Sequence, residues 1–366
     1  MASGTAGNWL FVDGEKSLYI NPAGLVSSDL TWEKASTFNI GLDFTMLNQR
    51  LDFSFDWYQR TTSDMLVKVE YPEVLGTTAP PANKAELRTR GWEVSVKWND
   101  RIGNDFSYDL GFILSDSQAE ITKYENPSGT LSDYYVGQKI GEIWGYETEG
   151  FYQSDTDVQN HADQSKLGAN WAPGDIMYKD LDGNKKINNG SNTLDDHGDL
   201  KVIGNTTPRY QYGITANMSY KNVYLNVFFQ GIGKRDFWPS SQPFWPVATQ
   251  YYNTQKWFVT DSWSEDNRDA YFARPIARET KNQQKQTKYL QDASYCRLKN
   301  LTVGYDFPKS WLSFLHVAKA GVYFSAENLF EFTNVKGAYD PEAAGKNGTM
   351  VYPFQRTYSF GLNVTF

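Results

Sequence analysis

The last eleven residues, "RTYSFGLNVTF" (356–366), alternate in character from one residue to the next. Large apolar side chains occupy every second position: Tyr358, Phe360, Leu362, Val364 and Phe366. Alternation with a period of two predicts a β-strand whose two faces meet different environments. Chain ends usually fray and are seldom so apolar, so an ordinary soluble sheet edge explains this segment poorly. The rest of the sequence has to decide whether the apolar face meets protein or lipid.

The composition combines overall polarity with many aromatic rings. The chain has 366 residues and a formal net charge of -8, so it lacks the basic footprint of a nucleic-acid-binding protein. No run approaches the ~18 apolar residues that a membrane helix needs. Yet 16% of the residues are aromatic. Transmembrane β-barrels have this composition, because polar lumen residues and long polar loops offset a lipid-facing apolar band.

Nine segments alternate in the same way as the C-terminus, and each is predicted to be a strand: 37–46, 50–60, 89–98, 105–114, 209–220, 223–230, 294–306, 319–327 and 356–366. The seventh is less regular, because its apolar phase shifts between Leu298 and Leu301. Such a shift predicts a β-bulge at Lys299 or Asn300.

The faces opposite the apolar residues carry many charges, which a dry sandwich core could not hold. A sandwich with its polar side outward and a barrel with its polar side inward both fit this pattern. Tyr210 and Tyr220 bracket one strand. At ~3.3 Å rise per residue and ~40° tilt, the segment between them spans roughly 25 Å, the height of a barrel's apolar band. We therefore predict an all-β fold, a transmembrane antiparallel β-barrel.

The barrel model assigns a direction to each side chain. Residues expected to face lipid are Phe38, Phe53, Val94, Leu110, Ile214, Val227 and Leu362. Residues expected to line the lumen are Asp43, Asp52, Glu93 and Asp109.

The connections between the predicted strands alternate between short and long. Outer-membrane barrels have short periplasmic turns and long extracellular loops. With a periplasmic C-terminus, this rule places every long connection outside the cell. The predicted location is therefore the cell outer membrane.

Seven segments, in order and at consistent spacing, resemble the SusC-like (RagA/SusC) family of TonB-dependent nutrient transporters from Bacteroides-type bacteria. They are "LTWEKASTFNIGLDF" (30–44), "RGWEVSVKW" (90–98), "PGDIMYKDLDGNKKI" (173–187), "VIGNTTPRYQYGI" (202–214), "ASYCRLKNLTVGYDFP" (293–308), "VYFSAENLFEFT" (322–333) and "YPFQRTYSFGLNVTF" (352–366). The resemblance implies a 22-stranded barrel closed by a plug, of which residues 1–366 would supply about nine C-terminal strands. The plug and the N-terminal barrel strands would be absent from this chain.

The resemblance also implies a function. The full protein would import oligosaccharide or peptide, with a SusD-like lipoprotein as a lid and the TonB complex as the energy source, and this chain would supply barrel wall and external loops. Two other classes stay open: a small outer-membrane barrel that is an enzyme or adhesin, and a soluble β-sandwich carbohydrate-binding module. The three histidines form no recognisable catalytic grouping with a nucleophile, so we expect no enzyme.

One acidic loop could bind calcium. In "DLDGN", Asp180, Asp182 and Asn184 alternate like the first oxygen ligands of a calcium loop. The bidentate Glu that closes such a loop is missing, so a further carboxylate must come from Asp195, Asp196 or Asp199, and we take Asp196 as the candidate. The alternative is an acidic turn without a metal.

Two more groups of residues are candidate sites. Trp144, Trp171, Trp238 and Trp245 lie in the predicted external loops, where they would contact substrate or the lid, or pack loop against loop. The family resemblance also implies that the assembly machinery reads the final strand, including Tyr358, Phe360 and Phe366, as a signal. The alternative for Phe366 is a simple lipid-facing anchor.

Overall fold

The computed structural model describes residues 30–68, 80–241, 243–247, 253–313, 316–337, 339–344 and 354–366. Near the N-terminus it also gives the backbone of short strands: Ser3–Thr5, Phe11–Val12, Glu15–Lys16 and Leu18–Ile20.

Long strands form one antiparallel sheet. They are β1 (Lys34–Met46), β2 (Leu51–Val67), β3 (Ala82–Ile102), β4 (Phe106–Lys123), β5 (Arg209–Tyr220), β6 (Val223–Lys234), β7 (Tyr295–Asp306), β8 (Lys319–Glu327) and β9 (Thr357–Thr365). Each strand pairs with the next one along the chain, so the sheet is an up-and-down meander with β1 and β9 at its edges. A further short strand, Glu331–Thr333, pairs with the start of β7. The sheet is open, and each of the nine segments predicted from alternation overlaps one of these strands.

The register aligns the apolar residues of all nine strands. Directly paired residues in an antiparallel sheet share a face. One row of such pairs crosses the whole sheet through Met46, Leu51, Trp98, Leu110, Ala216, Val227, Leu301, Ala326 and Tyr358. The next row lies on the opposite face: Thr45, Asp52, Lys97, Gly111, Thr215, Phe228, Asn300, Glu327 and Thr357. The sheet therefore has one continuous apolar face and one predominantly polar face.

The predicted bulge lies in β7. Phe228 pairs with Asn300 and Phe229 pairs with Leu298, so Lys299 is the extra residue. Its insertion accounts for the shift in the apolar phase. The prediction of a bulge at Lys299 or Asn300 is confirmed.

Several strands are longer than the alternation predicted. The strand expected at 89–98 runs over Ala82–Ile102, which is 21 residues. At ~3.3 Å per residue this far exceeds the ~25 Å apolar band of a barrel. The added parts carry cross-strand ion pairs, such as Arg88 with Glu120 at 3.1 Å and Lys34 with Asp64 at 2.9 Å. Alternation stops there because these ends project beyond the band where one face needs apolar side chains.

The described residues of the two longest connections, 124–208 and 235–294, form a structured cap at one end of the sheet, which we call the loop layer. Its strands are Glu142–Tyr146, Thr148–Phe151, Ile176–Tyr178, Leu200–Asn205, Asp236–Phe237 and Gln291–Asp292. Its helices are Asp155–Asn160, Lys256–Thr260 and the 3₁₀ turn Lys281–Gln283; a further helix, Lys309–Leu312, lies at the other end of the sheet.

The main hydrophobic core of the described residues lies in the loop layer and not between two sheets. Phe244 and Tyr289 are fully buried at its centre, with Phe272 almost as buried. The nine long strands form a single sheet, so the two-sheet sandwich alternative is wrong.

Candidate functional site

The polar face of the sheet is a hydrogen-bonded, charged surface. Asp52 pairs across the strands with Lys97 and accepts a hydrogen bond from Thr45 Oγ1 at 2.7 Å. Asp56 lies directly opposite Glu93. Two like charges in this position repel each other unless water screens them, so this face suits a hydrated lumen.

Tyrosine rings lie over glycines on the same face. Tyr224 pairs with Gly304, and Tyr323 pairs with Gly361. A Cβ at either glycine would overlap the ring of its partner. The glycines therefore let the tyrosine rings lie flat against the sheet. In the sequence, the only sign of this contact is a glycine in the interior of a strand.

The loop layer contains a buried charge cluster that the sequence did not reveal. Asp175 is fully buried, and its carboxylate accepts hydrogen bonds from Arg274 Nε at 2.8 Å and from Asn282 Nδ2 at 2.9 Å. Lys281 Nζ lies 3.0 Å from Asp175 Oδ2. Burial alone would raise the pKa of Asp175, but the hydrogen bonds from Arg274, Asn282 and Lys281 outweigh it and lower the pKa.

Of the four candidate tryptophans, all but Trp144 pack in or against the core of the loop layer. Trp245 is only 8% exposed, and Trp171 is partly buried. Their indole N–H groups donate to backbone carbonyls, Trp171 to Gly168 at 3.0 Å and Trp245 to Pro239 at 2.6 Å. Both rings therefore pack loop against loop, which was the alternative interpretation.

Trp144 and Trp238 line an open cleft of about 550 Å³ in the loop layer. The Trp144 ring packs against His197 with centroids 5.4 Å apart, and its N–H donates to Tyr135 Oη at 3.1 Å. The prediction of substrate or lid contacts stays open for these two tryptophans, because their side chains reach an accessible surface.

In the acidic loop, the third carboxylate comes from Asp199. Ligand oxygens of Asp180, Asp182 and Asp199 lie within 4.8 Å of one another. Asp199 is fully buried, and burial raises its pKa. Asp196, our candidate, instead accepts a hydrogen bond from the backbone N–H of Ser191 at 2.9 Å. The choice of Asp196 is therefore corrected to Asp199, because the Asp196 carboxylate is directed to the backbone N–H and the hydroxyl of Ser191.

These carboxylates also satisfy the loop backbone. Asp180 accepts hydrogen bonds from the N–H groups of Gly183 and Lys185, and Asp182 from that of Asn184. Asn184 Oδ1 accepts a bond from the Lys186 N–H at 2.7 Å, so it shapes the turn as well. Carboxylate and amide oxygens suit calcium, but the same atoms also make a stable metal-free turn. Calcium binding stays a prediction.

The terminal aromatic residues are highly exposed on the apolar face. Tyr358 and Phe360 are 55% and 83% exposed and pair with Ala326 and Phe324 of β8. Phe366 is 90% exposed and follows β9 at the end of the sheet that carries the short turns. This placement suits an interfacial anchor, and the role as an assembly signal stays a prediction.

In the described parts of the chain, we find no helix with the length and apolar character needed to cross a membrane.

A family model described as "TonB dependent receptor-like, beta-barrel" matches residues 4–329. The chain belongs to this family. The resemblance noted from the sequence is thereby confirmed, and the all-β barrel class with it. Proteins of this family are outer-membrane β-barrels, and the curated relatives are named as receptors and not as enzymes.

Individual relatives agree with this assignment. "TonB-dependent receptor P3" of Formosa agariphila is 30% identical over 366 aligned positions, which cover 93% of this chain and 35% of the relative. "TonB-dependent receptor SusC" of Bacteroides thetaiotaomicron is 27% identical, covering 93% of this chain and 32% of SusC. The chain thus spans about a third of the length of these relatives.

Solved structures show the same fold. A structure of the RagAB peptide transporter superimposes with a TM-score of 0.73 at 24% identity, covering 100% of this chain and 38% of the other. The RagAB peptide importer in its 'closed-closed' state gives the same TM-score at 25% identity.

Proposed function

We propose that this chain forms barrel wall and external loops of a TonB-dependent outer-membrane importer of the SusC-like kind. The observation that carries the proposal is the pair of neighbouring rows across all nine strands, one apolar throughout and one predominantly polar. A barrel wall needs an apolar face against lipid and a polar face against a water-filled passage.

The open edges of the sheet fit a larger barrel. The backbone groups of β1 and β9 face outward at the two edges. A bilayer core cannot satisfy unpaired backbone groups, so only a closed barrel is stable there. We propose that the other strands, the plug and the segment that contacts TonB belong to the rest of a longer protein, as the length of its relatives suggests.

The loop layer gives the barrel its outer surface. All long connections emerge at one end of the sheet, and we assign that end to the cell exterior and the C-terminus to the periplasm. A cap with a buried aromatic core and a buried charge cluster offers a firm surface to a second protein. We propose a SusD-like lipoprotein lid there and uptake of oligosaccharide or peptide beneath it.

Uptake by cells tests this function. A strain that lacks the full-length gene should lose uptake of a labelled oligosaccharide or peptide pool, and the intact gene should restore it. Removal of TonB or addition of a protonophore should abolish the restored uptake. A lipoprotein should also copurify with the full-length protein from detergent. Uptake that is unchanged by gene deletion would refute the proposal.

A further inference from the structure

The cleft in the loop layer has an unusual charge. It is lined by two lysines, Lys166 and Lys285, and none of the described residues that line it is an aspartate or a glutamate. The whole chain, by contrast, has 43 acidic and 35 basic residues. A net positive cleft on an acidic protein attracts anionic ligands.

Both lysines are available to a ligand. Three other loop-layer lysines are neutralised by acids: Lys179 and Lys201 both pair with Glu147, and Lys281 pairs with Asp175. The ammonium groups of Lys166 and Lys285 make no ion pair or hydrogen bond with the residues described in the structure. Both side chains are exposed at the rim of the cleft.

The other lining groups suit sugar rings. Trp144 and Trp238 line the cleft and are partly exposed, and an indole is a flat apolar surface on which the C–H face of a pyranose can stack. The side-chain amides of Asn189 and Gln284 also line the cleft, and each offers donors and an acceptor for hydroxyl groups. A few polar groups among aromatic surfaces are the usual composition of a small-molecule site.

A peptide fits this cleft less well. Extended peptides are commonly bound by adding a strand to a free sheet edge. The strand Glu142–Tyr146 already pairs with Leu200–Asn205 on one side. On its other side, the Tyr146 N–H donates to the Lys285 carbonyl at 2.8 Å and the Tyr146 carbonyl accepts from the Thr287 N–H at 3.1 Å. At Tyr146, therefore, both sides of this strand are already hydrogen-bonded, and an added peptide strand would have to displace the segment Lys285–Thr287.

We propose that this cleft binds an acidic oligosaccharide, one that carries carboxylate or sulfate groups, on its way into the importer. The sugar rings stack on Trp144 and Trp238, while Lys166 and Lys285 hold the anionic groups. The inference rests on the proposed import function and narrows its substrate class.

Binding to the purified full-length protein tests the cleft directly. The probes are an oligogalacturonate hexamer, a sulfated chondroitin hexamer, a neutral maltohexaose and an acidic hexapeptide, measured by calorimetry at low and high salt. We expect at least one acidic sugar to bind, and added salt to weaken it. K166Q/K285Q should weaken that binding about tenfold or more, as loss of charge-assisted contacts requires.

Two matched variants isolate the charge. K166R/K285R keeps both charges and should bind nearly as well as the wild type. K123Q/K256Q removes two exposed lysines that do not line the cleft and should have little effect. The proposal is overturned if neither acidic sugar binds at millimolar concentration, if the two glutamine variants behave alike, or if the hexapeptide binds better than the sugars. If no acidic sugar binds but TonB-dependent uptake is intact, the proposed role of the cleft is wrong and the proposed import function is unaffected.

Discussion

Replacement of Asp175 by Asn tests whether the buried charge cluster holds the loop layer together. The Asp175 carboxylate is fully buried, and the Arg274 guanidinium donates to both of its oxygens at 2.8 and 2.9 Å. Lys281, which is 2% exposed, loses the carboxylate that neutralises it. A buried ion pair that loses one partner usually costs about 3–5 kcal/mol, because the other charge stays buried and unpaired. We expect a loss of this size in the stability of the loop layer.

The pH dependence follows from the direction of the pKa shift. The pKa of the Asp175 carboxyl is lowered in the folded protein from its ordinary value of 3.8. A carboxyl with a depressed folded pKa contributes stability above its unfolded pKa, and this contribution disappears as the pH falls through the folded value. The wild-type loop layer should therefore lose stability below about pH 4, the usual range of Asp in an unfolded chain. The Asn variant should lack this contribution at every pH.

Limited proteolysis of the full-length protein in outer-membrane vesicles measures the effect. Cleavage within 124–208 and 235–294 should be faster by roughly a hundredfold or more in Asp175→Asn, because cleavage follows the population of opened loops. The barrel should keep its heat resistance. Asp266→Asn, which changes an exposed acid in the same layer, is the matched control. Equal cleavage of the two variants would show that the cluster contributes little.

Three further predictions concern the other sites. If Asp180, Asp182 and Asp199 bind calcium, chelation or Asp182→Ala should raise protease cleavage between 173 and 205 with the barrel intact, and identical cleavage with calcium and with chelator would favour the metal-free turn. Phe366→Ala in the full-length protein should sharply reduce outer-membrane assembly if the terminal ring is a signal, whereas normal assembly would leave Phe366 as an anchor. Glu93→Cys and Val94→Cys, each in a Cys296→Ser background, should react with different reagents. The cysteine at position 93 should react with a polar maleimide, and the cysteine at position 94 with a lipid-soluble one. Equal labelling of both by the polar reagent would contradict the two-faced wall.

The sequence alone determined the sheet, because alternation is a local property of strand backbone. Successive side chains point to opposite faces whatever the surroundings, so a period of two identifies both a strand and its apolar face. The same local logic predicted the bulge at Lys299 or Asn300, and the strand register identified Lys299 as the extra residue. Alternation did not predict that β3 begins as early as Ala82, because a strand end that lies outside the bilayer does not need one apolar face.

Only the tertiary structure decided the sites in the loop layer. Asp175 and Arg274 are 99 residues apart, and no sequence pattern around either residue predicts their contact. The same holds for the placement of Trp171 and Trp245 in the core, and of Asp199 in the acidic cluster. Long loops acquire their structure from packing between segments distant in the chain, and their hydrogen bonds follow no period. A strand's face can be read from its neighbours in sequence, but a loop residue's role depends on what folds against it.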